Sequence, residues 1–260
     1  MIRLVQSVAA RRELLGILVI RTLKIRYKDS ALGFLWTMLG PMFLIVIYGI
    51  FLRLMRFSLP LPVLVTGIFV WQYLAMCLGD AAHAVIGNAN LVKRASFPRL
   101  LLPLSMTLAN LVNFLLSLVV VGAVLVFQRV HPGPLWLLPV ALAFQFILCL
   151  GMSCLLSALN VFFRDVQQVT GVVTMAWFFL TPVLYMLNQV SDAAGARPWL
   201  LPVYFLNPMA GIMTLYRAAL LNHPLPEAAW LAESLIMAAA IGWFGILVFQ
   251  RLQARFADEL

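Results

Sequence analysis

The acidic and histidine side chains of this chain are too few and too scattered for the common catalytic arrangements. Nine Asp and Glu and three His occur among 260 residues. Asp80 and His83 stand three residues apart on one face of a predicted helix, where local hydrogen bonding explains them better than a proton relay. His131 and His223 each precede a proline, without a second ligand at metal spacing. We therefore predict no metal site and no catalytic Ser, His and Asp set.

The cysteines and glycines add no cofactor chemistry. Cys77, Cys149 and Cys154 lie in apolar segments and form no C-x-x-C pair, so we expect small core residues. The sequence contains no Gly-Lys pair and hence no G-x-x-x-x-G-K-S/T loop, the backbone cradle with which many ATPases hold phosphates. We expect this chain to bind no cofactor by itself, with any ATP and Mg²⁺ bound by a partner.

Basic residues are twice as numerous as acidic ones and gather in residues 1–30, before the first apolar segment. A helix there places three of them on one face: Arg21, Lys24 and Lys28. Three apolar residues share another face: Leu14, Leu18 and Ile25. We expect an interfacial helix on the cytoplasmic membrane surface, attracted by anionic headgroups. It is either a positive-inside anchor or a contact for an anionic lipid-linked ligand, for which the candidate residues are Arg21, Lys24, Arg26 and Lys28.

Long apolar blocks must position these residues, and no Lys, Arg, Asp or Glu lies inside them. The blocks are residues 31–52, 61–79, 100–127, 135–163, 166–187 and 234–250. Each is about long enough to cross a bilayer, since a hydrocarbon core of about 30 Å needs about 20 residues of helix. The chain is 64% hydrophobic and 10% charged, with a mean hydropathy of +1.01. We predict an all-α integral membrane protein in which residues 31–260 form one domain of six transmembrane helices.

The distribution of Lys and Arg predicts the orientation of these spans. Thirteen of the 18 basic residues fall on the side of the N-terminus and five on the other side. Because positive charge is retained on the cytoplasmic side, we expect both termini in the cytoplasm. Ion-driven carriers and channels usually keep ionisable groups at membrane depth, and these blocks contain none. Energy for transport is therefore expected from outside this chain.

Two connecting segments differ from ordinary loops. The inner one, residues 85–99, is basic, whereas the outer one, residues 188–227, is long, apolar and broken by prolines. We expect re-entrant half-helices that dip into the membrane from the outer face. Asn207 is the predicted N-cap of one of them and Pro208 its first residue. Near the end of that helix lie two further residues of this outer region: Tyr216 and Arg217.

The sequence is compatible with two interpretations of Arg217. It lies near the outer end of a path through the membrane, held by Glu227 or Glu233, or it extends its charge to the membrane interface while its stem stays in apolar surroundings. The prolines are equally open. Gly33, Gly40 and Pro41 in the first span, and Thr181-Pro182 in the fifth, mark either flexible points of a gate or static kinks.

Five strings, in order along nearly the whole chain, resemble a known family. They are RTLKIRYKDSALGFLWTMLGPM (21–42), NLVKRASFPRLLLPLS (90–105), NVFFRDVQQV (160–169), FFLTPVLYM (178–186) and FLNPMAGIMTLYRAALL (205–221). Together they are similar to the polysaccharide-exporting permeases of the type-2 ABC transporter family. The resemblance implies a permease that dimerises and binds two copies of a separate ABC ATPase. It also implies export of a glycan on an undecaprenyl pyrophosphate carrier, as members move O-antigen, capsular polysaccharide or wall teichoic acid.

The resemblance also gives the basic inner segment a role. It implies a short coupling helix from about residue 91 to 97 that docks into the ATPase, stopped by Pro98. An ordinary basic loop is the alternative. The residues assigned to coupling are Leu91, Lys93, Arg94, Phe97, Arg99, Arg164 and Asp165. The last two alternatively anchor the inner end of the fifth span.

Aromatic residues provide candidates for a glycan path, because their rings offer flat apolar surfaces and Trp and Tyr add a polar edge. The resemblance implies that the first and fifth spans border a central pore, which selects Trp36, Tyr48, Trp177 and Tyr185. The alternative is that these residues form the interfacial belts common in membrane proteins.

The expected protein is a multi-pass permease of the bacterial plasma (inner) membrane. Its expected partners are a second copy of itself, the ATPase, the lipid-linked glycan and membrane lipids, with no nucleic acid. Two other functions remain: a type-2 permease for a smaller lipid or drug, and an integral-membrane enzyme acting on lipid-linked sugars. The scattered carboxylates and histidines count against the enzyme.

Overall fold

The computed structural model describes residues 10–33, 35–57, 59–94, 97–195 and 199–260, which form helices and no strand. In chain order the helices are α1 (Arg12–Tyr27), α2 (Leu35–Leu54), α3 (Leu61–Ile86), α4 (Ala89–Arg94), α5 (Leu101–Phe127), α6 (Leu137–Phe162), α7 (Val166–Leu180), α8 (Leu187–Ala194), α9 (Leu200–Phe205), α10 (Pro208–Leu221), α11 (Ala228–Leu252) and α12 (Phe256–Glu259). A 3₁₀ turn, Gln253–Arg255, joins the last two.

Within the described residues, five helices are long and apolar enough to cross a membrane: α2, α3, α5, α6 and α11 with its C-terminal extension. The fifth apolar block forms a shorter helix than predicted, because α7 has 15 residues and ends at Leu180 rather than continuing to residue 187. At a rise of about 1.5 Å per residue it spans about 22 Å. Thr181, which precedes Pro182, is extended at φ −99° and ψ 144°, the conformation that a following proline ring favours. Pro182 thus ends the helix and does not kink it.

The first span also begins later than predicted. Gly33 lies before α2 at φ +49°, a left-handed conformation that suits glycine, so it is not part of the span. Pro41 lies inside α2 and is buried. Helix α2 otherwise exposes most of its apolar side chains, such as Phe43 and Ile47. In a membrane protein such a surface faces lipid or another protein chain.

Helices α6 and α11 pack closely against each other. Gly151 of α6 lies against Gly242 and Gly245 of α11, so tightly that a Cβ atom on any of the three would collide with backbone or with Ile147. Small residues allow helix backbones to approach in this way, which maximises van der Waals contact where no hydrophobic effect operates between helices. This contact fixes the position of the last span.

Helix α10 is inserted into the bundle, where every residue from Pro208 to Leu221 except Leu220 is buried. It packs against α3, α6 and α11, and the buried Tyr216 meets the edge of the Phe114 ring at 5.8 Å. Its C-terminus reaches the α5–α6 connection, where the Gly133 amide donates to the Ala219 carbonyl at 3.0 Å. We call α9 and α10 the hairpin, and the end of the bundle at Gly133 the hairpin end.

Helix α1 lies at the opposite end of the bundle, and we call it the collar. We call that end of the bundle the collar end. The collar packs on α5 and buries Leu18, but Ile25 is 61% exposed, so the predicted apolar face of residues 14, 18 and 25 is only partly buried. The C-terminal segment lies at this end too. Arg99, after α4, donates to the Gln253 carbonyl, and Phe256 of α12 is buried among aromatic neighbours.

Candidate functional sites at the two ends of the bundle

A charged, hydrogen-bonded cluster joins the collar to the bundle. Arg26 of α1 forms an ion pair with Asp80 of α3, and its Nη1 donates to Asn110 Oδ1 of α5 at 2.6 Å. Asn110 Nδ2 donates to Asp80 Oδ2 at 2.8 Å. The Arg26 and Asp80 side chains are 22% and 35% exposed, so water screens part of their attraction. Arg26 is thus paired within the chain, whereas the sequence analysis grouped it with residues available to a pyrophosphate.

Further hydrogen bonds fix the junction of the collar with its neighbours. Tyr27 Oη donates to Asn113 Oδ1 of α5 at 3.0 Å and lies 3.2 Å from Thr37 Oγ1 of α2. Arg21 Nη1 donates to Asn88 Oδ1, in the turn after α3, at 3.3 Å. The collar therefore bonds to α2, α3 and α5 through side chains, which a purely electrostatic membrane anchor would not require.

A cavity of about 300 Å³ lies between the collar, α3 and α5. We call it the collar cavity. Arg21, Arg26, His83 and Asn88 line it, together with Asp80. Two guanidinium groups face one carboxylate there, so the cavity suits a small anionic group such as a phosphate. The other basic residues of the predicted contact are exposed on the collar: Lys24 and Lys28.

A short helix lies near the position predicted for the coupling helix, but it is shifted toward the N-terminus. Helix α4 covers Ala89–Arg94 rather than residues 91–97, so Phe97 lies beyond it. Leu91 and Phe97 pack against the buried cluster at the collar end, and Arg99 is bonded to the C-terminal segment. Lys93 is exposed, and the Arg94 side chain lies outside the described residues. The remaining coupling candidates are exposed at the α6–α7 junction: Arg164 and Asp165.

Two of the four candidate path residues lie in an aromatic cluster, and a third is exposed. Tyr48 of α2 stacks on Phe178 of α7, with ring centroids 5.8 Å apart. Trp71 of α3 meets Phe178 at 5.6 Å and Trp177 at 6.1 Å, edge to face. Trp36 is 57% exposed on α2. Tyr48 and Trp177 therefore hold α2, α3 and α7 together, whichever face they turn to a substrate.

Asn207 links the start of α10 to the end of α7. Its Oδ1 accepts from the Met209 amide at 3.0 Å, as an N-cap does, and from Trp177 Nε1 at 2.8 Å. Its Nδ2 donates to the Leu180 carbonyl and to Thr181 Oγ1, both at 3.1 Å. The predicted capping by Asn207, with Pro208 as first helical residue, is confirmed. The Asn207 side chain also satisfies the Leu180 carbonyl, which has no helical partner where α7 stops. The sequence could not indicate this bond.

Arg217 is 3% exposed, so the interpretation that it extends to the membrane interface is wrong. It does not bond to Glu227 or Glu233 either. Nη1 donates to the Tyr185 carbonyl at 2.9 Å and Nη2 to the Val183 carbonyl at 3.2 Å. No carboxylate among the described residues forms an ion pair with it. The charge is stabilised by backbone dipoles of the segment that follows α7.

That segment, residues 181–186, is held from two sides. Opposite Arg217 it contacts α3, where a Cβ atom on Gly67 would lie 2.6 Å from the Val183 carbonyl oxygen. The Tyr185 hydroxyl accepts from the Tyr204 hydroxyl of α9 at 3.2 Å. Residues predicted separately as path (Tyr185) and gate (Arg217) therefore belong to one network at the hairpin end.

A cavity of about 470 Å³ adjoins this network. We call it the hairpin cavity. Its polar lining comes from α8 and from the Arg217 and His223 side chains, and its apolar lining includes Phe205 and Trp230. Burial, followed by the nearby Arg217 charge, lowers the pKa of His223. This imidazole is therefore neutral at physiological pH.

Comparison with known proteins identifies the family. The sequence profile described as ABC-2 type transporter matches residues 13–221, from the collar to the end of α10. The chain belongs to the ABC-2 type transporter family. This ABC-2 protein is 36% identical, over 267 residues and 100% of both chains, to the O-antigen export system permease protein RfbA of Myxococcus xanthus. It is 30% identical to the protein of that name from Klebsiella pneumoniae, over 253 residues and 95% of both chains.

Sequence reasoning gave no role to the amides inside the spans of this ABC-2 protein. Asn110 and Asn113 bind the collar, while Gln145 and Asn160 of α6 donate to the Val70 and Ala82 carbonyls of α3, each at 2.8 Å. A signal existed, since an amide in an apolar block must find a partner away from water. The sequence could not say which partner, because that depends on which helices are neighbours.

Proposed function

We propose that this chain is the membrane-spanning permease subunit of an ATP-driven exporter. It moves undecaprenyl pyrophosphate-linked polysaccharide across a bacterial plasma membrane, with O-antigen as the cargo. The observation that carries the proposal is the similarity, over the whole chain, to a permease named for O-antigen export. Similarity limited to the spans would support only a common membrane architecture. Here it includes the collar, α4 and the hairpin, which are the parts that would meet the ATPase and the cargo.

In this proposal the chain crosses the membrane six times, by α2, α3, α5, α6, α7 with residues 181–186, and α11. Supporting this count, the collar and the C-terminal segment both lie at the collar end, as an even number of crossings requires. The bias of basic residues toward that end puts both termini in the cytoplasm. The hairpin then enters the membrane from the outer side and returns to it.

Energy comes from an ATPase at the cytoplasmic collar end, two copies serving two copies of this chain. Lys93 on α4 and Arg164 and Asp165 between α6 and α7 are exposed there, and they are the proposed contacts. Phe97 packs against the buried cluster that includes Val92 of α4, and Arg99 bonds to the C-terminal segment. Pairing of two copies is supported by α2 and α7, whose apolar side chains are largely exposed.

The lipid-linked glycan is received at the collar. The collar cavity and the exposed Lys24 and Lys28 supply positive charge for its pyrophosphate. Guanidinium and ammonium groups at a membrane surface attract phosphate groups. The glycan then passes α2 and α7, where Trp36, Tyr48 and Trp177 provide apolar ring surfaces.

The function is tested by deletion and complementation. In a deletion strain, undecaprenyl-linked polymer should accumulate inside the cell and disappear from the surface. Both changes should reverse with the wild-type gene. Normal surface polysaccharide in the deletion strain would contradict the proposal.

The ATPase contact is tested by copurification with an ATPase encoded beside the gene. Lys93→Glu with Arg164→Glu should reduce the ATPase recovered by roughly tenfold or more, because two contacts change sign. Arg129→Glu, an exposed change at the hairpin end, is the matched control and should leave recovery unchanged. If both variants recovered equal amounts of the ATPase, docking of the ATPase at the collar end would be contradicted.

A further inference from the structure

The hairpin cavity has the size of a small-ligand site. Its volume of about 470 Å³ falls within the range of about 300–1,000 Å³ typical of ligand pockets. It is separate from the collar cavity and lies at the opposite end of the bundle. A cavity of this size holds a few sugar rings at most, not a polymer.

One wall is a polar face of α8. Asn188, Ser191 and Asp192 all line the cavity, and their spacing of i, i+3 and i+4 puts them on one side of a helix. Asn188 Oδ1 accepts from the Gln189 amide, which leaves the Asn188 NH₂ group as a donor. The Asp192 carboxylate makes no hydrogen bond among the described residues. This face offers donors and acceptors to a ligand without a rearrangement of the helix.

Arg217 and His223 add a cation and an imidazole to the lining. Arg217 is buried and fixed by the Val183 and Tyr185 carbonyls, and its Nε–H has no acceptor among the described residues. One guanidinium and one carboxylate, Asp192, therefore balance in charge. A strong anion such as phosphate would gain from the first and be repelled by the second.

Another wall is aromatic. Trp230 of α11 stacks on Phe205 of α9 with ring centroids 5.9 Å apart and planes within 17°, so the indole plane is fixed. Sugars combine a ring of hydroxyl groups with an apolar C–H face. The aromatic wall of this cavity suits the apolar C–H face of a sugar. Its charge-balanced carboxylate, amide and guanidinium groups suit the hydroxyl groups.

We infer that the hairpin cavity binds a short neutral stretch of saccharide, as a site for the glycan at the outer end of its path. Asp192 and Asn188 bond to sugar hydroxyls, and the wall at Trp230 contacts the ring face. The inference rests on the proposed function for the source of the saccharide. A site of this kind retains the emerging chain between transport steps, which limits backward sliding.

Binding is measured by saturation-transfer difference NMR on the full chain purified in detergent. The probe is an oligosaccharide released from the O polysaccharide of the strain that carries the gene. Wild-type protein should transfer saturation to its protons. Asn188→Ala with Asp192→Ala should weaken the affinity roughly tenfold or more, because two hydrogen-bonding groups are lost. Both residues are exposed, so the variant should keep the wild-type melting temperature. Glu227→Ala, an exposed carboxylate outside the cavity, is the control and should bind like wild type.

Three outcomes overturn the inference: no saturation transfer to the oligosaccharide, equal transfer by the double variant, or displacement of the oligosaccharide by millimolar inorganic phosphate, which would mark an anion site. Complementation separates these from failure of the function. A wild-type gene that restores export while its product binds no oligosaccharide refutes the cavity alone. A product that binds oligosaccharide without restoring export refutes the exporter.

Discussion

Single side chains at the two ends of this bundle form hydrogen bonds that connect helices. The helices they connect end early, as α7 does, or lie outside the membrane, as the collar does. Asn207, Arg217 and Arg26 each bond to groups far away in sequence. In each case the side chain satisfies backbone carbonyls or a carboxylate that lipid could not solvate. Substitution of any of these three residues should therefore lower the stability of the fold.

Asn207→Ala removes the N-cap of α10 and the bonds to Trp177 and to the end of α7. We expect a loss of about 2.5–4 kcal/mol of stability, since a cap contributes about 1 kcal/mol and each of the three further hydrogen bonds about 0.5–1 kcal/mol. Thermal unfolding in detergent, followed by circular dichroism, measures it. Asn90→Ala, an exposed asparagine on α4, should leave the transition where it is. An equal midpoint for the two variants would be against this account.

Arg26→Gln and Asp80→Asn test the collar bond as a double-mutant cycle. Because both side chains are partly exposed, we expect a coupling energy of about 1 kcal/mol, not the several expected of a buried pair. Each single variant should also increase cleavage of the collar by added protease. A coupling energy near zero, with unchanged proteolysis, would show that packing of the collar and not the ion pair holds it.

Close backbone contacts decide the arrangement at the element scale. Because Gly67 has no side chain, the segment after α7 can pack closely against α3. Gly151, Gly242 and Gly245 allow α11 to pack closely against α6 in the same way. The same residue type elsewhere in the spans has open space around it, as at Gly79 and Gly122. This difference supplies matched glycine controls, one of them in the same helix.

Gly67→Ala should displace residues 181–186, because the new methyl group meets a backbone oxygen that cannot rotate away. We expect destabilisation of about 1–3 kcal/mol and lower export in the complementation assay. Gly79→Ala in the same helix should be neutral or stabilising by about 0.5–1 kcal/mol, since alanine favours helix. Thermal unfolding of the two purified variants compares them directly, and similar effects would refute the packing argument.

Gly245→Leu should push α11 away from α6, since even a Cβ atom there would overlap the Gly151 backbone. We expect loss of folded protein, read as aggregation in size-exclusion chromatography. Gly122→Leu in α5, where nothing lies nearby, should elute as wild type does. Folded, monodisperse Gly245→Leu protein would mean that the last span packs differently.

At the scale of the whole molecule, the sites at the two ends imply a direction of transport. The collar end is the proposed cytoplasmic face and the hairpin end the outer face. Cysteine labelling with a membrane-impermeant maleimide tests this in intact spheroplasts. The native cysteines are buried and should remain unlabelled. Asn222→Cys, exposed at the hairpin end, should react from outside, and Lys93→Cys only after lysis. The reverse pattern would invert the topology and with it the export proposal.

The sequence by itself determined the apolar blocks, the charge bias, the family and the cap at Asn207, because each depends on composition or on neighbours within a few residues. The helical ranges of α3, α5 and α6 therefore agree with the blocks within a few residues at most ends. Tertiary structure decided that Arg26, Asn207 and Arg217 have partners far away in the chain. Those features depend on which carbonyls and carboxylates come together across the bundle. Hydropathy carries no such information, since any two apolar helices are equally compatible with lipid.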